Sequence, residues 1–466
     1  MLRDEYAVDK FFIEIAQRTA EMDGILVRID RVLEDIELFQ RVKGDLSQRH
    51  AKTTKTGRLS TPVEVIVRML AVKHLYNLSY EQTEQQVRDS LVLRQFCRVY
   101  FERVPDDTTL LRWATLIQPE TLATFNARLV QLATQLQVTR GRKLRTDGTV
   151  VESNITYPTD NKLLAAGVRV LSRTLKRAQT ILAETMTAPK SWFRDRSRSA
   201  KRLSRAIVNS ARQRQKAAKT EMQGTFRRLV QVTQASLDQA QHVIEQLQQV
   251  GSAKAEALVT TLTTFVPRVA QVIHQTVRRV FGGESVPASE KLVSLFEPHT
   301  AIIRRHKVGK ETEFGHKVWL DEVDGGLVSH WSILQGNPSD DTQWQPALNR
   351  HRRRFGKPPD QASGDRGLYS PINETYAQDQ GVKRIILPKP GHKSDARRQH
   401  EAQPWFRRGR RFHNGIEGRI SVLKRKHGLD RCRNHGEDGF QRWVGWGVIA
   451  NNLTVIGRKL AATPHR

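Results

Sequence analysis

The 466-residue chain carries 77 Lys and Arg against 48 Asp and Glu, a formal charge of +29, and 38% of its residues are hydrophobic. That is room for about two to four domains, in a chain polar for a globular protein but not disordered in composition. Two cysteines, Cys97 and Cys432, exclude a disulfide framework and a four-cysteine zinc site, and the charge demands a polyanion, nucleic acid first among them.

No apolar run reaches the ~20 residues that span a bilayer; Trp443 to Gly457 comes nearest, and Asn451 and Asn452 interrupt it. The opening Met1-Leu2-Arg3-Asp4-Glu5 lacks the basic-then-apolar layout of a secretion signal. The expectation is a soluble protein of the cytoplasm with no membrane partner.

Residues 1–140 read as helical. Pro62 sits at a helix start, and Val63, Ile66, Val67, Leu70, Ala71 and Leu75 follow at helical spacing. Ser79 with Gln82 three residues on forms a capping-box pair for a second helix. Asp106 or Asp107 caps a third through Leu110, Leu111 and Trp113. Short helices joined by short turns suggest a DNA-binding helix-turn-helix bundle, with a plain packing module as the alternative.

Leu144 to Ile155 is a strand rich in Val and Thr, broken by Tyr157-Pro158-Thr159-Asp160. From Leu163 to Phe281 the chain reads as long helices. Phe226, Val230, Thr233, Leu237, Ala240, Ile244 and Leu247 alternate steps of four and three, a heptad seam. Leu258, Leu262, Phe265, Val269, Val272 and Thr276 resume it after a break at Val250-Gly251-Ser252. The simplest picture is an antiparallel hairpin, in which an arm of about 50 residues would reach ~75 Å. Between Lys190 and Arg228, 13 Lys and Arg face two acids, Asp195 and Glu221. That imbalance favours phosphate contact by Lys201, Arg202, Arg205, Arg212 and Arg214 over a solvated face.

Gly315 to Val323 and Leu327 to Gln335 flank Asp324-Gly325-Gly326, a hairpin signal. A helix through Trp344, Leu348 and His351 follows Pro338. Gln361 to Asp365 and Lys383 to Leu387 read as strands, and Asn414 to Leu460 as helical. Strand, helical insertion, strand hairpin, helix, strand, helix, strand, helix predicts an α/β fold with a mixed sheet. It is the order of a ribonuclease-H-like core carrying a large helical insertion after its first strand. The expected division is 1–140 for DNA binding, 141–160 with 298–466 for the ribonuclease-H-like catalytic domain, and 161–297 for the insertion.

Phosphodiester chemistry gives a reason to single out three acids. Two divalent ions about 3.5–4 Å apart can activate an attacking oxygen and stabilise a leaving one, and Mg²⁺ takes hard carboxylate and water ligands. Asp147 lies in the first strand beside Gly148 and shares a face with Thr149 and Val151, while Glu152 points away. Asp365 ends a later strand in Ser363-Gly364-Asp365-Arg366-Gly367. Glu417 lies in a helix candidate from Asn414 to Lys426, with Lys424 two turns on along the same face. Each has a plain alternative: Asp147 and Asp365 as Gly-flanked turn acids, and Glu417 as the N3 partner of an Asn414 cap.

The chain resembles the DDE transposases of bacterial insertion sequences, in the branch with ISNCY-like members. The resemblance rests on Thr146-Asp147-Gly148-Thr149-Val150-Val151-Glu152, on Gly364-Asp365-Arg366-Gly367, and on Gly415 to Arg425 around Glu417. It extends to the helices from Pro62 to Trp113 and to Trp443-Val444-Gly445-Trp446-Gly447. It implies that Asp147, Asp365 and Glu417 hold two Mg²⁺ ions, with Mn²⁺ able to substitute. Water would cleave at an element end, and the freed 3′-OH would attack target DNA. The partners implied are the terminal inverted repeats, target DNA and a second copy of the chain, in a bacterial cytoplasm and on the nucleoid when bound to DNA. Relatives carry Tyr and Arg seven and four residues before the Glu and Lys seven after it; here those positions hold Arg410, His413 and Lys424.

Arg410 and Arg411, within the basic and aromatic run Trp405 to Phe412, are further phosphate candidates. Asp340, Asp341 and Glu152 are the likeliest impostors for the catalytic acids. His427, Cys432 and His435 fit no common zinc spacing. Two rival functions stand beside the transposase: an inactive transposase-derived DNA-binding protein, and a metal-dependent nuclease without strand transfer.

Overall fold

A computed structural model describes residues 1–466 other than 20, 50, 51, 53, 54, 58, 186–192, 213–215, 305–310 and 463–466. The chain forms two compact units: Met1–Asn154 with Gly315–Arg466, and Ile155–Phe314.

The first unit joins N-terminal helices to a mixed sheet. Among them, Val63–Leu75 starts at Pro62, which occupies the N-cap position rather than the first helical turn. Tyr80–Asp89 carries the full capping box of Ser79 and Gln82. In Asp107–Leu116, the Asp106 carboxylate accepts from the Thr109 amide at 2.7 Å. These caps use backbone donors that a helix start otherwise leaves unpaired.

The strands are β1 (Lys143–Glu152), β2 (Ala301–Arg304), β3 (Thr312–Val323), β4 (Leu327–Leu334), β5 (Gln361–Ser363) and β6 (Arg384–Ile386). Within the first unit the order is β4-β3-β1-β5-β6, with β1 central. β4, β3 and β1 are antiparallel neighbours, and β1, β5 and β6 are parallel. The antiparallel half follows from a two-glycine turn, in which Gly325 and Gly326 take φ of +89° and +84°. The parallel half needs crossovers, supplied by the helices Trp344–Phe355 and Pro371–Asp379.

The apolar run near the C-terminus lies in the helix Glu437–Ala462, whose residues are buried almost continuously from Gly439 to Gly457. It packs on Gly24–Val32, Val63–Leu75 and Pro119–Gln135, so one hydrophobic core unites the N-terminal helices with the sheet. Asn452, which interrupts the apolar pattern, is a docking group. Its Oδ1 accepts from the Val328 amide at 2.9 Å, and its Nδ2 donates to the Val328 carbonyl at 2.8 Å and to Asn126 at 2.7 Å. β4 backbone groups are thereby satisfied inside the core. No helix among the described residues is long and apolar enough to cross a membrane.

The second unit is not the simple hairpin its heptads suggested. Among the described residues it packs four α-helices, Asp160–Thr185, Ser197–Ala211, Lys216–Val250 and Ala253–Val280, around one apolar cluster. The heptad positions Phe226, Thr233, Leu237, Ala240 and Leu247 are buried, and the break at Gly251 stands, with φ of +62° before the Ser252 cap. The heptad helix Lys216–Val250 packs on each of the other three helices rather than on one. The longest helix has 35 residues, about 52 Å at 1.5 Å per residue.

Candidate active site

Asp147 sits mid-way along β1, opposite Leu320 of β3 in an unbroken register from Leu144 to Glu152. Strand alternation therefore puts Asp147 on the face of Arg145, Thr149 and Val151. The helix Pro404–His427 covers that face: Val151, Val318, Leu320 and Leu423 share a buried cluster. The regular register also decides the Glu152 alternative. No bulge turns it inward; Glu152 instead pairs with Arg431 at 2.9 Å.

Asp365 follows β5, which lies parallel to β1. Its Oδ1 accepts from the Gly367 amide at 2.9 Å and fixes the turn. Glu417 lies in the interior of Pro404–His427, thirteen residues past Pro404. The Asn414 cap reading falls with this. The helix begins at Pro404, so Asn414 and Glu417 are interior positions with no first-turn amide to serve. One stripe of that helix presents Arg410, His413, Asn414 and Glu417 at helical spacing.

These elements enclose one cavity of about 200 Å³ lined by Asp147, Asp365 and Glu417, with Arg366, Arg410 and His413 among its other walls. Of the remaining sequence candidates, Arg411 is exposed, Lys424 is half-buried, and neither lines the cavity. Lys201, Arg202, Arg205 and Arg212 are exposed on or just past the helix Ser197–Ala211 of the second unit; Arg214 lies outside the described residues.

The electrostatics differ from wall to wall. Burial, and then the negative charge of Asp340, hold the Asp365 carboxyl above its ordinary value. Burial holds His413 down at about 4, so its ring is neutral at pH 7 and cannot serve as a fixed cation. Its Nδ1 is buried without a hydrogen-bond partner. Asp340 is paired with the buried Lys317, which also donates to the Pro338 carbonyl at 3.0 Å. Asp341 binds Ser339, and neither Asp340 nor Asp341 lines the cavity.

Sequence reading missed the clamp behind the site. Glu322 of β3 is fully buried and takes Arg145 through two bonds of 2.9 and 2.6 Å. Arg419 approaches the same carboxylate at 3.4 Å and donates to Asn451 at 2.9 Å. Arg145 also donates to the Phe412 carbonyl, and a Cβ at Gly415 would collide with its guanidinium. The strand of Asp147 and the helix of Glu417 are thus tied through one carboxylate. Arg145 and Arg419 stand two residues from those acids, a proximity visible in sequence; Glu322 needed the hairpin register.

Residues 14–116 match the family model of a transposase domain, and residues 375–456 match that of a transposase DDE domain. The chain belongs with the DDE transposases of insertion sequences. The second match contains Glu417 and the clamp residue Arg419; Asp147 and Asp365 lie outside both matches. No curated protein and no solved structure matches this transposase.

Its cavity suits a hard divalent cation by donor chemistry, since three carboxylates from three elements line it and Asp365 is destabilised as an anion. Among the described residues no three His, Cys, Asp or Glu side chains already stand at ligating distance from a common ion.

Proposed function

We propose that this transposase binds the ends of its element and cleaves and transfers DNA strands by a metal-dependent DDE reaction, with Asp147, Asp365 and Glu417 as its acids. The observation that carries this reading is their convergence on one cavity from β1, the turn after β5 and a helix far along the chain. A ribonuclease-H-like core is the fold reading that goes with it, supported by the order β4-β3-β1-β5-β6 with an antiparallel and a parallel half.

The three carboxylates would hold two Mg²⁺, or Mn²⁺, which when bound supply Lewis-acid polarisation of the phosphate and an acidified water or 3′-OH. Arg410 and Arg366 flank the acids and would orient the scissile phosphate by charge. Neutral His413 would offer a hydrogen bond rather than a charge. The helical region of residues 1–140 would bind the element ends, and the exposed Lys201, Arg202, Arg205 and Arg212 would add phosphate contacts. A second copy of the chain would hold the other end.

The test uses the full chain, a duplex carrying the terminal repeats that flank its gene, and a target plasmid. Cleavage and joined products that require Mg²⁺ or Mn²⁺ and vanish in Asp147→Asn, Asp365→Asn and Glu417→Gln are expected. Cleavage without joined products would reduce the protein to a nuclease. Full activity in excess chelator would sink the two-metal reading.

A further inference from the structure

A second cleft of the first unit gathers guanidiniums instead of carboxylates. It encloses about 600 Å³ between the helices Ile36–Ser47, Pro119–Gln135 and Trp344–Phe355, with Ser329 and His330 of β4 in its lining. Arg350, Arg353 and Arg354 face it from one helical stripe, and Arg41 and Arg128 join them from the other two helices.

Among the described residues two of these five charges have carboxylate partners and three do not. Arg128 is used by Asp35 in a two-pronged pair of 3.1 and 2.7 Å, with Glu37 at 3.4 Å. Arg350 gives its Nε to the buried Asp321 at 2.8 Å, but its Nη2 is buried with no hydrogen-bond partner. Among the described residues Arg41, Arg353 and Arg354 have no carboxylate partner. Burial also depresses the Arg354 pKa, the mark of a guanidinium removed from water without a counterion. His330 is held neutral, at about 4, by burial against these same arginines.

The buried Nη2 of Arg350 is costly unless an acceptor completes it, while Arg41 and Arg353 are exposed and Arg354 is half-buried, so their guanidiniums stand open to an anion. Planar guanidinium forks match the oxygens of phosphate. Several converging from three helices exceed what a single carboxylate could use, and a strand of DNA offers phosphates in series. We propose that this cleft binds backbone phosphates of DNA, as a contact built from residues other than those of the acid cavity. The proposal rests on reading the chain as a DNA-cleaving transposase, and its test separates the two.

The full chain without metal is titrated against a labelled duplex across a series of KCl concentrations. In Arg353→Gln/Arg354→Gln the slope of log affinity against log salt should become shallower by about 1.8, from ~0.9 per lost contact. Arg41→Gln, on a different helix, should remove about 0.9 by itself. Arg353→Lys/Arg354→Lys should keep the parental slope. Parental slope and affinity in both Gln proteins would overturn the proposal, and metal-dependent cleavage by those proteins would leave the transposase reading standing. A parent chain that neither binds nor cleaves duplex DNA would instead defeat that reading. Tripolyphosphate then decides the cleft. A melting temperature raised in the parent but not in the Gln pair, together with a parental DNA slope in that pair, assigns it to a free polyphosphate rather than DNA, and no rise together with a parental slope overturns phosphate binding altogether.

Discussion

The acid cavity and the arginine cleft belong to the same compact unit and solve opposite electrostatic problems. In the cavity, Asp147, Asp365 and Glu417 converge and outnumber the two arginines, Arg366 and Arg410, that line it with them. In the cleft, arginines converge and the shortage is of negative charge. A strongly basic chain is expected to be attractive to DNA everywhere. The two sites differ in a finer way: acids outnumber arginines in the cavity lining, and arginines outnumber acids in the cleft lining. The Glu322 clamp marks the contrast, because there a buried acid and two arginines already complete each other.

The sharpest way to break the comparison is to neutralise the cavity. Glu417→Gln should lower cleavage by orders of magnitude while binding without metal is kept or strengthened, because one negative charge near the phosphates is gone. A folded Glu417→Gln protein that cleaves at the parental rate would remove Glu417 from the site. The clamp should respond in stability instead. Glu322→Ala leaves two largely buried guanidiniums without their carboxylate, at about 3–5 kcal/mol, read as a lower denaturant midpoint. A midpoint within error of the parent would show that the clamp does not hold strand to helix.

Acid should weaken the fold through its buried histidines. His330, His351 and His427 are each held down to about 4 by burial. Around His330 the other charges are Asp321, Arg350, Arg353 and Arg354. These rings ionise near 6.5 once unfolded, so the unfolded chain takes up protons that the folded one refuses. Their contribution is fully present above about pH 6.5 and is lost as pH falls toward about 4. Melting temperatures between pH 7.5 and 4.5 should fall, and His351→Gln should flatten part of the decline. The smallest effect is expected at Asp340. It pairs with Lys317 and lies outside the cavity lining, so Asp340→Asn should reduce cleavage far less than Glu417→Gln. A collapse equal to that of Glu417→Gln would make Asp340 a fourth acid of the site.

Local signals were read well where local physics decides them. The Ser79 box, the Asp106 cap, the two-glycine hairpin and the break at Gly251 depend on residues a few positions apart, and all stand in the structure. Strand alternation likewise separated Asp147 from Glu152. The Glu417 helix starts ten residues before the expected Asn414, at Pro404, and takes in the basic and aromatic run Trp405 to Phe412, of which Phe406 and Gly409 are buried. The heptads correctly marked buried positions, but two seams do not say how many helices face them, and the answer is a four-helix unit.

Composition, caps, periodicity and the three acid motifs were determined by the sequence itself, since each is set by charge or by neighbours within a turn or a strand. The parallel placement of β5 beside β1, the clamp on Glu322 and the arginine cleft were decided only by tertiary structure. Arg41, Arg128 and Arg350 are separated along the chain by long stretches that carry no mark of their meeting. Their juxtaposition is created when the N-terminal helices and the sheet bury one common core, which brings charges from distant stretches of the chain to one cleft.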